Sequence, residues 1–539
     1  MHTIGNHKPR KSFRKEASSP LSGSSFYWPD LLALFAAALV IRAVAILVTG
    51  FDGLYGQDPF AYYDYSIELL AELKAFRPPP PFFWPIGYPL LVTLMMFFTG
   101  IRPLAGQLVS VLAGALAAVL VYELVREFTN GSRWCAIVAG LLTSISAQLM
   151  ISSLSVMSDA AGMAWITLSA WALVRYFRTI PPKQKVETGF PSSVFGVSPS
   201  VARAGMGWLV LAAFALGSAI LTRWVYALAA APWGISLLLA WRAASFRPRE
   251  AAAAAGLAIA VGALVLGSQF VFELGRSSPS HVGDLQVVGW NPWNALRSTV
   301  TNADGIFQYE RPIGLYYALP AIHPAFIFPS FAPFLLLGLW DLRRAQPAII
   351  ALLIGWPLLV YVFLAGIAWE NPRFSLAMLP PLVALVGSGI DLARNAWPRW
   401  RPAIAGWCVL GLLGSLAWSV GDVRAFAART QDNLAITRWT EAQVPSGATL
   451  LTFGLTLTLD HYTSLAVVEL FNETPRSLEP QVCAGDTTFL LIDPANIESQ
   501  WVGKPPELNY RWLREQAGLR ELGRQGDWTL FVVEGKTCA

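Results

Sequence analysis

Long apolar segments recur through the first 420 residues: 28 to 49, 104 to 125, 134 to 152, 160 to 177, 206 to 222, 225 to 241, 251 to 271, 322 to 340, 347 to 367, 374 to 391 and 402 to 420. Lengths of this order match the hydrocarbon core of a bilayer and predict about eleven spans in a polytopic α-helical membrane protein. The stretch YPLLVTLMMFFT, residues 88 to 99, is too short for a comfortable crossing. Taken as a juxtamembrane helix, it lets five basic loops share the cytoplasmic side: Arg126 and Arg133, Arg178 to Arg203, Arg242 to Arg249, Arg343 and Arg344, and Arg394 to Arg401. The opposite, outer side then carries the region 51 to 103, the turns at Ser158 and Asp159 and at Arg223, the long loop 272 to 321, and the turn WENPRF at 369 to 374.

Beyond residue 420 the pattern changes. DNLAITRWTEAQV and NYRWLREQAGL have helical spacing, whereas ATLLTF, TTFLLID and DWTLFVVEG read as strands. The sequence thus predicts three parts: a basic cytoplasmic tail over 1 to 27, a transmembrane catalytic domain over 28 to 420, and an extracytoplasmic α/β domain over 421 to 539. The polar stretch 181 to 205 reads as a cytoplasmic connector.

Composition agrees with this partition. The 539 residues are 55% hydrophobic and 14% charged, with mean hydropathy +0.48, which excludes a soluble globular protein. The net charge of +5 is concentrated in the first 420 residues, as expected of topology-setting loops, and is no sign of nucleic-acid binding. Of four cysteines, Cys135 and Cys408 fall in predicted spans. Cys483 and Cys538 fall in the outer domain, as a disulfide or as two thiols.

The densest chemistry lies in the first outer stretch, FDGLYGQDPFAYYDYSIELLAELKAFRPPPPFFWPIGYP, residues 51 to 89. After Asp58 it reads as an amphipathic interfacial helix, with Phe60, Tyr63, Ile67 and Leu70 on one face and Asp64, Glu68 and Glu72 on the other. Asp58 before Pro59, and Ser158 or Asp159 in SVMSDAAG, are also good helix N-caps. Because both acids fall on one side of the membrane, they can also act as a base or hold a divalent cation, the one cofactor considered. In ENPRF, Asn371 caps and Pro372 starts a helix, which leaves Arg373 in a first turn where the helix dipole disfavours a cation. An anion belongs nearby: a phosphate, or a carboxylate from Glu370 or the first loop. Arg223 is a second phosphate candidate, and Arg42 reads as snorkelling to headgroups. Tyr62, Trp84, Tyr88, His281 and Glu370 are weaker substrate-lining candidates, and His323 a possible third metal ligand. Asp460 and His461 read as surface. No GxxxxGK, HExxH or GxSxG occurs; without a nucleotide site, an enzyme acting at the outer surface needs a lipid-borne activated donor.

The segments GQDPFAYYDYS, WPIGYPLL, SVMSDA and NPRFSLAMLPPLVAL, in this order and in these loops, resemble the C-type (GT-C) membrane glycosyltransferases. The likeness is to the polyprenyl-phosphate-sugar-dependent enzymes related to protein O-mannosyltransferases and the aminoarabinose transferase of lipid A, and it covers most of residues 28 to 391. The resemblance implies inverting transfer of a sugar from a polyprenyl-phosphate donor to a glycan, lipid or protein acceptor outside the inner membrane. It implies Asp58 as the acid beside the acceptor hydroxyl, Asp159 as its assistant, and Arg373 as the partner of the leaving phosphate. FRPPPPFFW lacks the Glu that lipid A transferases carry there, which leaves metal dependence open. A competing reading is a lipid-linked-glycan transporter or ligase, which would be expected to show inverted repeats that the sequence lacks.

Overall fold

The computed structural model describes residues 27–82, 84–129, 131–180, 199–244, 248–273, 289–483 and 487–535. The N-terminal tail to residue 26, most of the 181 to 205 connector, His281 and Cys538 lie outside them. The membrane part runs α1 (Trp28–Thr49), α2 (Asp58–Lys74), α3 (Gly87–Thr99), α4 (Pro103–Phe128), α5 (Arg133–Ser144), α6 (Ala147–Leu154), α7 (Ser158–Thr179), α8 (Pro199–Thr222), α9 (Ala230–Ala243) and α10 (Pro248–Glu273). After a hairpin of β1 (Thr299–Asn302) and β2 (Gly305–Gln308) come α11 (Ile313–Ala318), α12 (Ala332–Asp341), α13 (Pro347–Gly366), α14 (Leu379–Ala396) and α15 (Arg401–Gln443).

Proline punctuates this chain. It stands in the first turn of α1, α2, α4, α12, α13, α14 and α15, where the missing N–H costs nothing and the fixed φ suits a helix start. Proline also accounts for a difference from expectation. The apolar segment 322 to 340 is broken by Pro324, Pro329 and Pro333 into a 3₁₀ turn and the ten-residue α12. Among the described residues, eight helices are long and apolar enough to cross a membrane, against the eleven expected. α5 and α6 add a broken span bent by 55°. α3 is the short helix that the sequence predicts.

Burial separates centre from periphery. In their most apolar windows α4 is 72% buried and the segment ending in α14 is 78% buried, against 6% for α10. α4, α7 and α14 therefore form the core, and α10 presents its side chains to lipid. α12 and α14 approach so closely that a Cβ on Gly389 would lie 1.8 Å from the Phe334 carbonyl oxygen.

α15, 43 residues long, spans about 65 Å, roughly twice the hydrocarbon thickness. It carries the chain out of the membrane and straight into the C-terminal domain, so the expected boundary at 421 falls inside one helix. The domain's strands are β3 (Thr449–Thr452), β4 (Ala466–Glu469), β5 (Thr488–Ile492), β6 (Leu519–Gln525) and β7 (Trp528–Val533), in the order β4-β3-β5-β7-β6. β4, β3 and β5 are parallel, while β7 is antiparallel to β5 and β6. All five β5 side chains are buried, as a central strand covered on both faces requires. Cys483 is disulfide-bonded, and Cys135 and Cys408 are free thiols.

Replacing Gly389 by Ala should force α12 from α14 and destabilise the fold by about 1–3 kcal/mol. A thermal melt in detergent that is unchanged from wild type would contradict this packing.

Candidate functional site

Two polar residues inside the heavily buried α4 hold the two acid-bearing loops together. Gln107 of α4 donates through Nε2 to the carbonyls of Phe51 (2.9 Å) and Leu154 (3.0 Å), one on each loop. The Val156 N–H donates to the Gly53 carbonyl at 2.9 Å. Gly53 has φ of +103°, and a Cβ there would press on Val156 at 3.0 Å, so only glycine allows this approach. Ser110, one turn further along α4, donates to the Met157 carbonyl at 3.1 Å and shares a 2.8 Å hydrogen bond with the Tyr88 hydroxyl. Neither Gln107 nor Ser110 is among the sequence-derived candidates. The available signal was a hydrogen-bonding side chain within an otherwise apolar span, where such groups need partners.

The loops so joined bring Asp58, Asp159, Arg223 and Arg373 to one end of the bundle. Asp58 Oδ2 accepts from Arg373 Nη2, and Asp159 Oδ1 accepts from Arg223 Nη1. The two guanidinium carbons lie 5.4 and 5.1 Å from the same ring, Phe374. Arg373 Nη1 also approaches the Met157 sulfur at 3.6 Å. Two atoms at the site are buried and unpaired, Asp159 Oδ2 and Arg373 Nε. The two acids differ in access: the Asp58 side chain is 26% exposed and that of Asp159 2%.

The capping roles read from the sequence are not the ones adopted. Neither α2 nor α7 has a side-chain N-cap hydrogen bond, because both carboxylates face arginines and Ser158 Oγ meets the Tyr62 hydroxyl at 3.0 Å. Asn371 does cap as expected, its Oδ1 accepting from the Arg373 N–H at 3.2 Å. The carboxylate facing Arg373 comes from the first loop and not from Glu370. Beside the quartet, Tyr62 packs against Trp84 (4.9 Å between centroids) and Tyr88 (5.1 Å). Burial drives the Tyr62 hydroxyl pKa well up, so it remains a proton donor.

The family model of dolichyl-phosphate-mannose-protein mannosyltransferases matches residues 99–247, a range that includes Asp159 and Arg223. No match is found among curated protein sequences. Among solved structures, that of ArnT from Cupriavidus metallidurans bound to undecaprenyl phosphate is similar over 93% of this chain and 97% of that one, with TM-score 0.59 and 15% identity. The oligosaccharyltransferase AglB from Archaeoglobus fulgidus, in complex with an inhibitory peptide and a dolichol-phosphate, is similar over 88% of this chain and 70% of that one, with TM-score 0.58 and 13% identity. The chain has the GT-C glycosyltransferase fold.

On this GT-C scaffold the remaining candidates fall in several places. The basic loops gather at the opposite end of the bundle from the quartet, where Arg175 and Arg178 pair with Glu127 and Arg133 with Asp30. Arg42 does not snorkel. It is fully buried beside Gly114 and Ser153, with only Nη1 bonded, to the Ala38 carbonyl at 3.0 Å. His461 docks on the first loop, 5.5 Å from the Phe60 ring, so it is part of a domain contact and not simply surface. His323 lines a cavity of about 310 Å³ with Phe326 and Asp422, edge-on to the Trp418 ring at 6.2 Å, and its Nδ1 accepts from the Ala325 N–H at 3.2 Å. It does not join Asp58 and Asp159. Among the described residues no three His, Cys, Asp or Glu side chains are placed to hold a metal, and one oxygen of each acid, Asp58 Oδ2 and Asp159 Oδ1, is taken by a guanidinium. The donor set does not fit a three-ligand ion.

Glu370 lies next to the quartet with Oε1 buried and unpaired. Burial raises its pKa to about 7, and Arg311 opposes that rise. The folded state therefore holds the proton more tightly than the unfolded chain. The stability this contributes is fully present below pH 4.5 and is lost as pH climbs through about 7. The melting temperature of wild type should fall relative to Glu370→Gln over that window; parallel pH profiles would refute the assignment.

Proposed function

We propose that the chain is an inverting glycosyltransferase of the inner membrane, transferring a sugar from a polyprenyl-phosphate carrier to a hydroxyl on the outer side. The observation that carries this reading is the pair of guanidiniums on one phenyl ring, each held by an acid, at the end of the bundle where the C-terminal domain sits. Guanidinium binds phosphate oxygens bidentately. With two acids and two arginines the site is neutral before donor binds, and a lipid phosphate competes with Asp58 for Arg373. Its arrival frees the more exposed acid, which then faces the acceptor.

The step is a single displacement. The acceptor oxygen bonds to the anomeric carbon as its proton passes to the Asp58 carboxylate, and the C–O bond to phosphate breaks with its electron pair going to the phosphate oxygen. Single displacement inverts the anomeric centre. Arg373 and Arg223 stabilise the charge that grows on the leaving phosphate, a contribution favoured in a poorly hydrated site. Asp159, buried and bonded to Arg223, orients that cation, while Tyr62, Trp84 and Tyr88 pack together beside the quartet.

The lipid tail has a matching surface. An apolar groove of about 270 Å³ opens between α3, α4 and α7, lined by Leu94, Phe98, Leu116, Ala164 and Trp165, and reaches Ala161 just after Asp159. An apolar groove that reaches to within two residues of Asp159 in the chain suits a polyprenyl tail whose phosphate lies at the proposed site. It also gives the short α3 a purpose, since a full span there would change what borders α4 and α7.

Purified protein supplied with polyprenyl-phosphate hexose and cell-envelope extract should transfer labelled sugar. Asp58→Asn should lower the rate by about 10²–10⁴-fold, and Arg373→Ala by about 10²–10³-fold with weaker donor binding. Transfer at the wild-type rate in Asp58→Asn would end this assignment. Ala164→Trp, which fills the groove, should lower kcat/KM for a long-chain donor while sparing a short-chain analogue; equal losses would show that the tail lies elsewhere.

A further inference from the structure

A second cleft, of about 480 Å³, lies between the β1–β2 hairpin and the C-terminal domain, with Gln57, the neighbour of Asp58, on its wall. Its lining contains no lysine or arginine but includes two carboxylates, Asp304 and Glu469. Lys504, bonded to the Asn302 carbonyl, is near enough to act on Asp304, yet with two carboxylates in the wall a phosphorylated or carboxylated ligand finds no cation in the lining to bind.

The unused hydrogen-bonding groups suit hydroxyls. The side-chain amides of Gln57 and Asn472 make no hydrogen bond among the described residues. Asp304 Oδ2 accepts from Trp369 Nε1 at 3.1 Å, leaving Oδ1 open. Flat apolar faces stand beside these groups: Phe471 is 36% exposed and packs edge-on to Trp501 at 5.9 Å, and Phe307 lines the same space. Aromatic faces next to free amides and a carboxylate match a sugar ring, which presents C–H groups on its faces and hydroxyls at its rim.

An extended peptide has less to bind. The hairpin is already occupied, since the Ile306 N–H donates to the Gln500 carbonyl at 2.7 Å and Gln500 Nε2 donates to the Asp304 carbonyl at 2.9 Å. Strand addition at that point is blocked. The cleft also neighbours the proposed base, because Gln57 on its wall precedes Asp58 in the chain.

Resting on the glycosyltransferase reading above, we infer that this cleft is the acceptor subsite and that the acceptor is a neutral saccharide, seated on Phe471 and Phe307 with its hydroxyls on Gln57, Asn472 and Asp304. The C-terminal domain is then half of the acceptor site and not merely an appendage.

The test is calorimetric titration of the full chain in detergent, without donor, against neutral gluco-, manno-, galacto- and arabino-oligosaccharides, an oligogalacturonide, and Ser/Thr-containing peptides. At least one neutral oligosaccharide should bind saturably. Phe471→Ala, at an exposed position, should weaken that binding about tenfold, and Asn472→Ala should weaken it separately, both with wild-type melting temperatures. Binding only of the oligogalacturonide, binding only of peptides, no binding by any ligand, or neutral binding indifferent to both substitutions would overturn the inference. Because donor is absent, failure here leaves the transfer reading to stand or fall with Asp58→Asn.

Discussion

A charge at the edge of a bilayer needs a partner, and this requirement organises the molecule. The quartet's side chains are buried or largely covered, so an acid or guanidinium left alone there would carry a desolvation cost. Asp58 and Arg373, far apart in the chain, neutralise each other, as do Asp159 and Arg223. The first pair needs the first loop to meet the turn before α14, and the second needs the α6–α7 turn to meet the α8 end. Breaking a buried pair from one side typically costs about 3–5 kcal/mol. The same constraint that makes the quartet useful to a phosphate therefore also fixes how the helices are arranged.

Gln107 and Ser110 supply the geometry that electrostatics alone would not. An ion pair tolerates a range of approach directions, but two amide hydrogen bonds to carbonyls on separate loops set their spacing. Both residues sit on α4, whose position is set in turn by burial against α7 and α14. The quartet's end of the bundle is thus held by a heavily buried helix, as the proposed site, which must place reacting atoms to within fractions of an ångström, requires.

Much of this was legible from residue order. The amphipathic α2, the short α3, the strands ATLLTF, TTFLLID and DWTLFVVEG, and the cap at Asn371 follow from local periodicity and capping chemistry, and the structure has each of them. The four charged residues could be assigned to one side because topology needs only hydrophobicity and loop charge. What local pattern cannot supply is which acid meets which cation: Asp58 and Asp159 look like ordinary N-caps until the distant arginines are in place. The break of 322 to 340 into short pieces was visible in its prolines but outweighed by its hydrophobicity. β4 and β6 were missed because AVVE is short and LRELGRQ lacks alternation; both lie at the sheet's edges, where burial imposes less pattern.

The neutral balance of the quartet bears on how the site works, beyond how it is built. If Arg373 were unpaired before donor arrived, a lipid phosphate would gain the full attraction and Asp58 would be a free base throughout, able to activate water. In the proposed reaction, with Asp58 bonded to Arg373, the base is withheld until a phosphate takes its place. Part of the donor's binding energy goes into that exchange, so affinity is lower than two bare arginines would give, and the activated acid appears only when a sugar is present to be attacked. Asp159 does not take part in this exchange, because it is almost fully buried and keeps Arg223 in position while Arg373 changes partner. On this proposal the difference in exposure between two acids of the same chemistry divides their work: the accessible Asp58 is the one to react and the enclosed Asp159 the one to position.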